Sequence, residues 1–341
     1  MIATHLMDAG PPPDWDAYVA AHPHGSLFHT GAWRRAVETT FGHRPSYLWA
    51  ERHGACVGVL PLFVVKTLKG RALVSVPYGV YGGILANDAA VERALLDAAI
   101  RLADAHDVTY VELRSRHAGG LDLVESDLHV TFERALPESP GECLGLVPRK
   151  SRASVRNGRS KFGLVSEFSA DLTRLYDLYA INVRRLGSPT FPFRFLLALE
   201  REFGSAMSVQ HTLFEDRVVA AVLTFWDRDA AVPYYSGCDD TYFFTQCNNV
   251  MYCDLMEAAV QRGCRRFDFG RSRRGAGPYH FKVNMGFEPA PLHYQYVLRK
   301  LQDVPRINPS NPKLELPRRI WSRLPLGVTK AVGPRLLRYI P

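Results

Sequence analysis

Lysine, arginine, serine and glycine crowd together late in the chain. In the run Asp268-Phe269-Gly270-Arg271-Ser272-Arg273-Arg274-Gly275-Ala276-Gly277-Pro278-Tyr279-His280-Phe281-Lys282, a strand-like segment ends at Gly270 and opens into a cationic, glycine-bearing loop. A short helix then presents Lys282 and stops at Gly286. Backbone amides at such a helix start, with Arg271, Arg273 and Arg274 beside them, suit an anionic or carbonyl-rich group. An ammonium at Lys282 would stabilise a carbonyl oxyanion or hold a donor phosphate; the competing reading is a solvent-facing lysine. Arg271 and Ser272 follow a strand end directly, where α/β folds gather ligand groups. Asp268 alternates with Phe267 and Phe269, so it points away from them, to orient Arg271 or Lys282 or to take a proton from an attacking amine.

A second cationic group lies upstream. Arg149, Arg152, Arg156 and Arg159 recur at spacings of 3, 4 and 3, one face of a helix, and Lys150 and Lys161 add charge nearby. Six positive groups in 13 residues with no acid form a cradle for a diphosphate or a tRNA backbone, or else a solvated helix face. Gly158 would weaken that helix by about 1 kcal/mol relative to Ala. Tyr78 and Tyr81 stand among Gly79, Gly82 and Gly83, which permit close approach of the backbone to a ligand. Tyr234 and Tyr235 sit in a β-rich run, one facing each side, as phenol donors or as half-buried strand residues. The twelve histidines show no pairing at metal spacing, and the six cysteines form no Cys-x-x-Cys pair, so no metal site is expected.

The elements that must position these groups come in two blocks. From about Trp15 to Leu136, a capped short helix precedes β-rich runs at Tyr47 to Glu51, Ala55 to Val65 and Ala72 to Val76. The turn pairs His53-Gly54 and Lys69-Gly70 make these a meander. A helix over Asp88 to Ala105 and a strand at Val108 to Leu113 follow. The order recurs: a basic segment, a helix over Leu172 to Leu186, strands at Ser208 to Phe214, Val218 to Trp226 and Val232 to Gly237, a helix over Asn248 to Arg262, then strands at Arg266 to Gly270 and Leu292 to Leu298. This is an α/β (α+β) layer arrangement used twice.

With 341 residues the chain has room for two cores, and 47% hydrophobic with 22% charged residues is a globular composition. No run of about 18–20 apolar residues is present, and the start has no apolar signal region, so a reducing cytoplasmic setting is expected. The formal charge of +8 points to an anionic partner. From Lys313 onward seven Lys/Arg face one acid, Glu315, and interleave with Ile320, Trp321, Leu324, Leu326, Val328 and Val332. This basic amphipathic tail either touches a membrane surface through 313–341 or docks on its own domain.

The stretch Val76-Pro77-Tyr78-Gly79-Val80-Tyr81-Gly82-Gly83, the basic region Pro148 to Gly163, Asp268 to Ser272, Gly277 to Pro289 and Leu292-His293-Tyr294 together resemble the Fem family. These are bacterial proteins that add amino acids to the peptide of peptidoglycan precursors. The chain is most similar to the Fem-like branch associated with exosortase and exopolysaccharide gene clusters. The resemblance implies two tandem GNAT-like acyltransferase modules, each a mixed, mostly antiparallel sheet flanked by helices: residues 1–145, residues 146–300 with the main motif, and a tail at 301–341. It implies transfer of an aminoacyl or acyl group to an amine of a cell-envelope or exopolysaccharide-related acceptor, anionic and small or lipid-linked, with Lys282 and Asp268 catalytic. Arg271, Ser272, Gly277, Phe281, Tyr78, Tyr81, Tyr235, Arg149, Arg152 and Arg156 would bind substrate.

No tightly bound cofactor is implied; the donor would be aminoacyl-tRNA or another activated acyl group. A generic GNAT enzyme dependent on acyl-CoA is one competitor. Its coenzyme loop should fall at Ser236 to Gln246, where this chain has Asp239, Asp240, two phenylalanines and no second glycine. Such a loop cradles a pyrophosphate poorly, because its amides lack glycine-like freedom and the two acids repel the ligand. Acetyl-CoA is therefore the less expected donor. Another competitor is an inactive, membrane-associated binding protein of a polysaccharide or sorting system. No Gly-x-Ser-x-Gly element or Cys with a His partner stands out, so attack is expected to be direct, and Lys282→Ala is expected to cut turnover without harming the fold.

Overall fold

The computed structural model describes residues 1–7, 14–305 and 312–340. The chain forms two compact units. The first comprises Met1–Asp127, Pro291–Asn308 and Arg335–Pro341. It contains β1 (Ala3–Leu6), α1 (Trp15–Ala21), α2 (Gly31–Phe41), β2 (Arg44–Pro45), β3 (Leu48–Arg52), β4 (Ala55–Leu60), β5 (Leu62–Thr67), β6 (Gly70–Ser75), β7 (Leu85–Ala86), α3 (Ala89–Ala105), β8 (Tyr110–Ser115) and β9 (Val124–Ser126). A four-stranded sheet runs β1-β3-β4-β7. A six-stranded sheet has the order β2-β5-β6-β8-β18-β9, where β18 is His293–Leu298.

The expected three-run meander is two hairpins on different sheets. His53 and Gly54 both have positive φ, 55° and 79°, as a two-residue hairpin turn requires, and they join β3 to β4. At Pro61, which has no N–H to give a ladder, the chain leaves that sheet and starts β5 in the other. Helix α3 begins where the Asp88 carboxylate accepts the Val91 amide, and Leu95, Ala98, Ala99 and Leu102 of its apolar face are buried against Leu60, Leu62 and Val111.

The second unit comprises Leu128–Ala290 and Pro309–Pro334. Its elements are β10 (His129–Ala135), α4 (Cys143–Leu146), α5 (Arg149–Ser160), β11 (Val165–Ser169), α6 (Leu172–Arg185), α7 (Phe193–Phe203), β12 (Met207–Phe214), β13 (Arg217–Asp227), β14 (Ala230–Cys238), α8 (Cys247–Gln261), β15 (Arg266–Asp268), β16 (Ser272–Arg273), α9 (Gly277–Asn284), β17 (Pro289–Pro291), α10 (Pro312–Arg323) and α11 (Leu326–Leu337). One sheet runs β11-β12-β13-β14-β15-β10-β16, with β17 also on β10. The core is α8, through Val250, Met251, Leu255 and Met256, against Val219, Val222, Phe267 and Phe132. Each such side chain contributes about 1.5–3 kcal/mol on burial.

Sheet membership departs from chain order at both ends. The run at Leu292 to Leu298, read as the last strand of the second block, is β18 and pairs antiparallel with β8 in the first unit. Conversely, β10, from the block read as ending at Leu136, pairs with β15 and β16 in the second. The units therefore divide after Asp127 rather than after residue 145. Strand content is written locally, but the choice of neighbour is a long-range contact that periodicity does not carry.

Between Pro312 and Pro334 the described tail packs within the second unit, while Arg335 onward belongs to the first. Trp321 Nε1 donates to Ser188 O at 2.9 Å, Arg318 to Leu186 O at 2.8 Å, and Lys330 pairs with Asp177 on α6. Among the described residues no helix is long and apolar enough to cross a membrane.

Candidate functional site

The second unit's sheet opens beside the motif. β14 runs parallel to β15 only at Ala230↔Arg266 and Ala231↔Phe267, and the strands then part. From Val232 to Cys238 the β14 ladder continues on its β13 side alone, with a register shift that leaves Tyr234 as the extra residue. Beside the opening, Tyr252 of α8 donates to Ser236 Oγ at 2.8 Å, and its ring meets Phe269 at 4.6 Å and Phe281 at 5.6 Å. Burial pushes the Tyr252 phenol up to about 12, so it stays a proton donor.

The motif itself is a β-bulge. Glu133 faces Asp268 and Val130 faces Ser272, so three steps on β10 oppose four on its partner. Gly270 takes the left-handed conformation there, φ 67°, and the Asp268 carboxylate accepts the Gly270 amide at 2.9 Å. From α9, Lys282 reaches back and donates to Gly270 O at 2.9 Å and Arg271 O at 3.1 Å, with its Nζ 5.4 Å from the ring centres of both Phe132 and Phe269. Lys282 is 8% exposed and Asp268 2%. Burial draws the Lys282 amine down to about 7, against the attraction of Asp268.

Lys282 is thus neither the solvent-facing lysine nor a free ammonium; it clasps the bulge. Removing it orphans two carbonyls, so Lys282→Ala is expected to cost stability as well as turnover. Asp268, Ser272 and Lys282 are brought together and buried, and the Ser272 hydroxyl has no hydrogen-bond partner. Arg271 is half-buried, and Phe281 packs on Tyr252. Gly277 is the exposed first residue of α9, with open space where a side chain would go, so no close approach demands a glycine there. Sequence reasoning missed Ser236 and Tyr252, since a mid-helix tyrosine and a strand serine carry no local signal.

The basic segment is helical, α5, and its four arginines divide. Arg159 is bound to Asp254 and Glu257 of α8, while Arg152 donates to Gly145 O and Val147 O. Arg149 and Arg156 are exposed. The cradle of six cations is therefore smaller than its sequence suggests. Gly158 is explained by packing: a Cβ there would lie 2.4 Å from Val250 Cγ2 and 3.0 Å from Thr245 O, so α5 presses on the first turn of α8. In the preceding loop, Asp239 Oδ1 accepts from the Thr241 amide and hydroxyl.

The tyrosines part company. Tyr235 is 8% exposed in an aromatic core with Phe191 at 4.6 Å and Tyr179 at 5.6 Å, so packing accounts for it. In the first unit, Tyr78, at φ 63°, stacks on Phe41 and shares a 2.8 Å hydrogen bond with His43. Tyr81 is buried under Arg116 and lines a cavity of about 340 Å³ with His24, His117, Glu92 and the backbone of Gly119. Gly82 and Gly83 line the same cavity, and the space a side chain would take at each is filled by protein: a Cβ at Gly82 would lie 2.1 Å from Val76, and one at Gly83 2.2 Å from Ser115 Oγ. Among the described residues no cluster of ligating side chains could hold a metal.

Residues 149–283 match the family model described as an acetyltransferase (GNAT) domain. No curated protein matches the sequence significantly. Solved structures share the fold at low identity. FemX is 14% identical, with a TM-score of 0.65 over 87% of this chain and 98% of its own. A tandem GNAT protein from the clavulanic acid biosynthesis pathway is 13% identical, with a TM-score of 0.54 over 89% and 100%. The C-terminal domain of a putative lysylphosphatidylglycerol synthetase from Agrobacterium fabrum is 10% identical, with a TM-score of 0.54 over 83% and 93%. The chain has the mixed α/β fold of tandem GNAT-like proteins, and over residues 149–283 it carries a GNAT-type domain.

Proposed function

We propose that the protein is an acyltransferase that moves an aminoacyl group from an ester donor, an aminoacyl-tRNA, onto an amine of a cell-envelope acceptor. The reading rests on one observation: inside the GNAT-matching segment, β14 and β15 part after two residue pairs and leave an open strand edge beside Ser236, Tyr252 and the Lys282-clasped bulge. An acyl group seated along that edge would have its carbonyl oxygen held by main-chain N–H groups, aided by the break in register at Tyr234. The amine nitrogen attacks the carbonyl carbon, the ester C–O bond breaks, and the leaving oxygen takes the proton the nitrogen gives up. Lys282 and Asp268 act as positioning residues, because the Lys282 ammonium and Asp268 Oδ1 are bonded to the backbone of the bend.

Two features favour an ester donor over acyl-CoA. The first turn of α8, whose amides would meet a pyrophosphate, is pressed by α5 at Gly158, and Asp239 and Asp240 precede it. The likeness in fold to FemX and to a domain of a lysylphosphatidylglycerol synthetase supports aminoacyl transfer as the class. The test is incubation with tRNA charged with labelled amino acids and a panel of soluble and lipid-linked amines. Label should pass into an alkali-stable amide, whereas the ester donor is alkali-labile. Acyl-CoA consumption with the same amines, and no transfer from charged tRNA, would replace this reading.

A further inference from the structure

The tail helices dock with one side and leave another in water. On α10, Arg318 and Trp321 face the body of the second unit through hydrogen bonds to Leu186 O and Ser188 O. Leu316 and Ile320, four residues apart and on the opposite side of the helix, are 65% and 54% exposed. On α11, Thr329 and Gly333 are pressed inward, a Cβ at Gly333 lying 2.9 Å from the Thr190 amide. Val328 and Val332 beside them are exposed, and Leu336 continues their four-residue spacing along the same helix. Ordinary docking amphipathicity accounts for the inward face of each helix and not for these outward aliphatic residues.

Charge says what covers them. Arg319 and Arg323 are exposed on the Leu316–Ile320 side of α10. The only acid from Lys313 to the end is Glu315. A partner protein would need a matching acidic and apolar face. An anionic lipid surface supplies both, taking aliphatic side chains into the acyl boundary while guanidinium groups stay at the headgroups. We infer that α10 and α11 form a peripheral docking surface for anionic phospholipid bilayers. No span is involved and no assumption about the acyl donor enters, so failure of the transfer assay leaves this inference standing, and the reverse.

The test is flotation of the full chain with vesicles of phosphatidylglycerol and phosphatidylcholine, and with phosphatidylcholine alone. The expected result is binding to the anionic vesicles only, weakened by salt. Arg319→Glu with Arg323→Glu should lower partitioning about tenfold or more. Ile320→Glu with Val332→Glu should lower it similarly with the charges kept, and unchanged thermal melting would show that both variants fold. Equal binding by wild type and both variants, or no binding to anionic vesicles, overturns the inference. So does a wild-type dimer in solution that Ile320→Glu converts to monomer with no vesicle binding, since a second copy would then be the occupant.

Discussion

Each unit has a pair of parallel strands that part, and each holds a buried cation near the parting, yet the two cations are set up oppositely. In the first unit, β6 and β8 pair from Ala72↔Tyr110 to Val74↔Glu112, and Arg114 on β8 turns into the loop beyond. Its Nη1 donates to Val76 O at 3.3 Å and Gly79 O at 3.0 Å, its Nε to Glu112 at 2.8 Å, and its amide to Ser75 Oγ. In the second unit, Lys282 also clasps two carbonyls, but it makes no ion pair among the described residues and comes from a helix rather than from the strand. A guanidinium with its own carboxylate is a fixed rivet. An amine held near 7 by burial is a group the local field can charge or discharge. Duplicated topology thus carries two buried cations held in different ways, one by a carboxylate and backbone and one by backbone carbonyls.

Three experiments bear on that contrast. The largest effect is expected from Arg114→Met, which strands the buried Glu112 and two carbonyls; stability to denaturant should fall by about 3–5 kcal/mol. A loss below 1 kcal/mol would mean that the rivet is not one. Lys282→Met strands carbonyls but no carboxylate, so its cost should be smaller, about 1–3 kcal/mol. The same variant carries a signature in pH. Because the folded amine sits near 7 and an unfolded lysine near its ordinary value, the unfolded chain binds the extra proton between those limits. Wild-type stability should therefore climb with pH relative to the variant across that window, and the two curves should run parallel below pH 7. Smallest of all is Arg149→Ala with Arg156→Ala on the exposed side of α5, expected within about 0.5 kcal/mol of wild type. A larger loss would show these cations to be structural, as Arg152 and Arg159 are.

What could be read in the sequence was whatever is local. The strand-turn-helix order around Gly270, the helix over residues 248–262 and the turn at His53-Gly54 depend on periodicity and on residues tolerant of positive φ, and each is present. What could not be read depends on residues far apart in sequence. The burial of Lys282 could not be read because a short helix reveals nothing of what lies over it, here Phe132, some 150 residues earlier. The glycines at 82 and 83 looked like room for a ligand because sequence does not say that Val76 and Ser115 fill it. For the same reason the run at Leu292 to Leu298 reads as part of the second block although β18 pairs in the first unit, and β10, within the block read to Leu136, pairs in the second.

The missing side chain at Gly158 has a consequence of its own. Two helices meet there so closely that one methyl group would wedge them apart, and the wedge would bear on the amide-bearing start of α8. Any substitution that adds volume at residue 158 must therefore lever the basic helix away from that start.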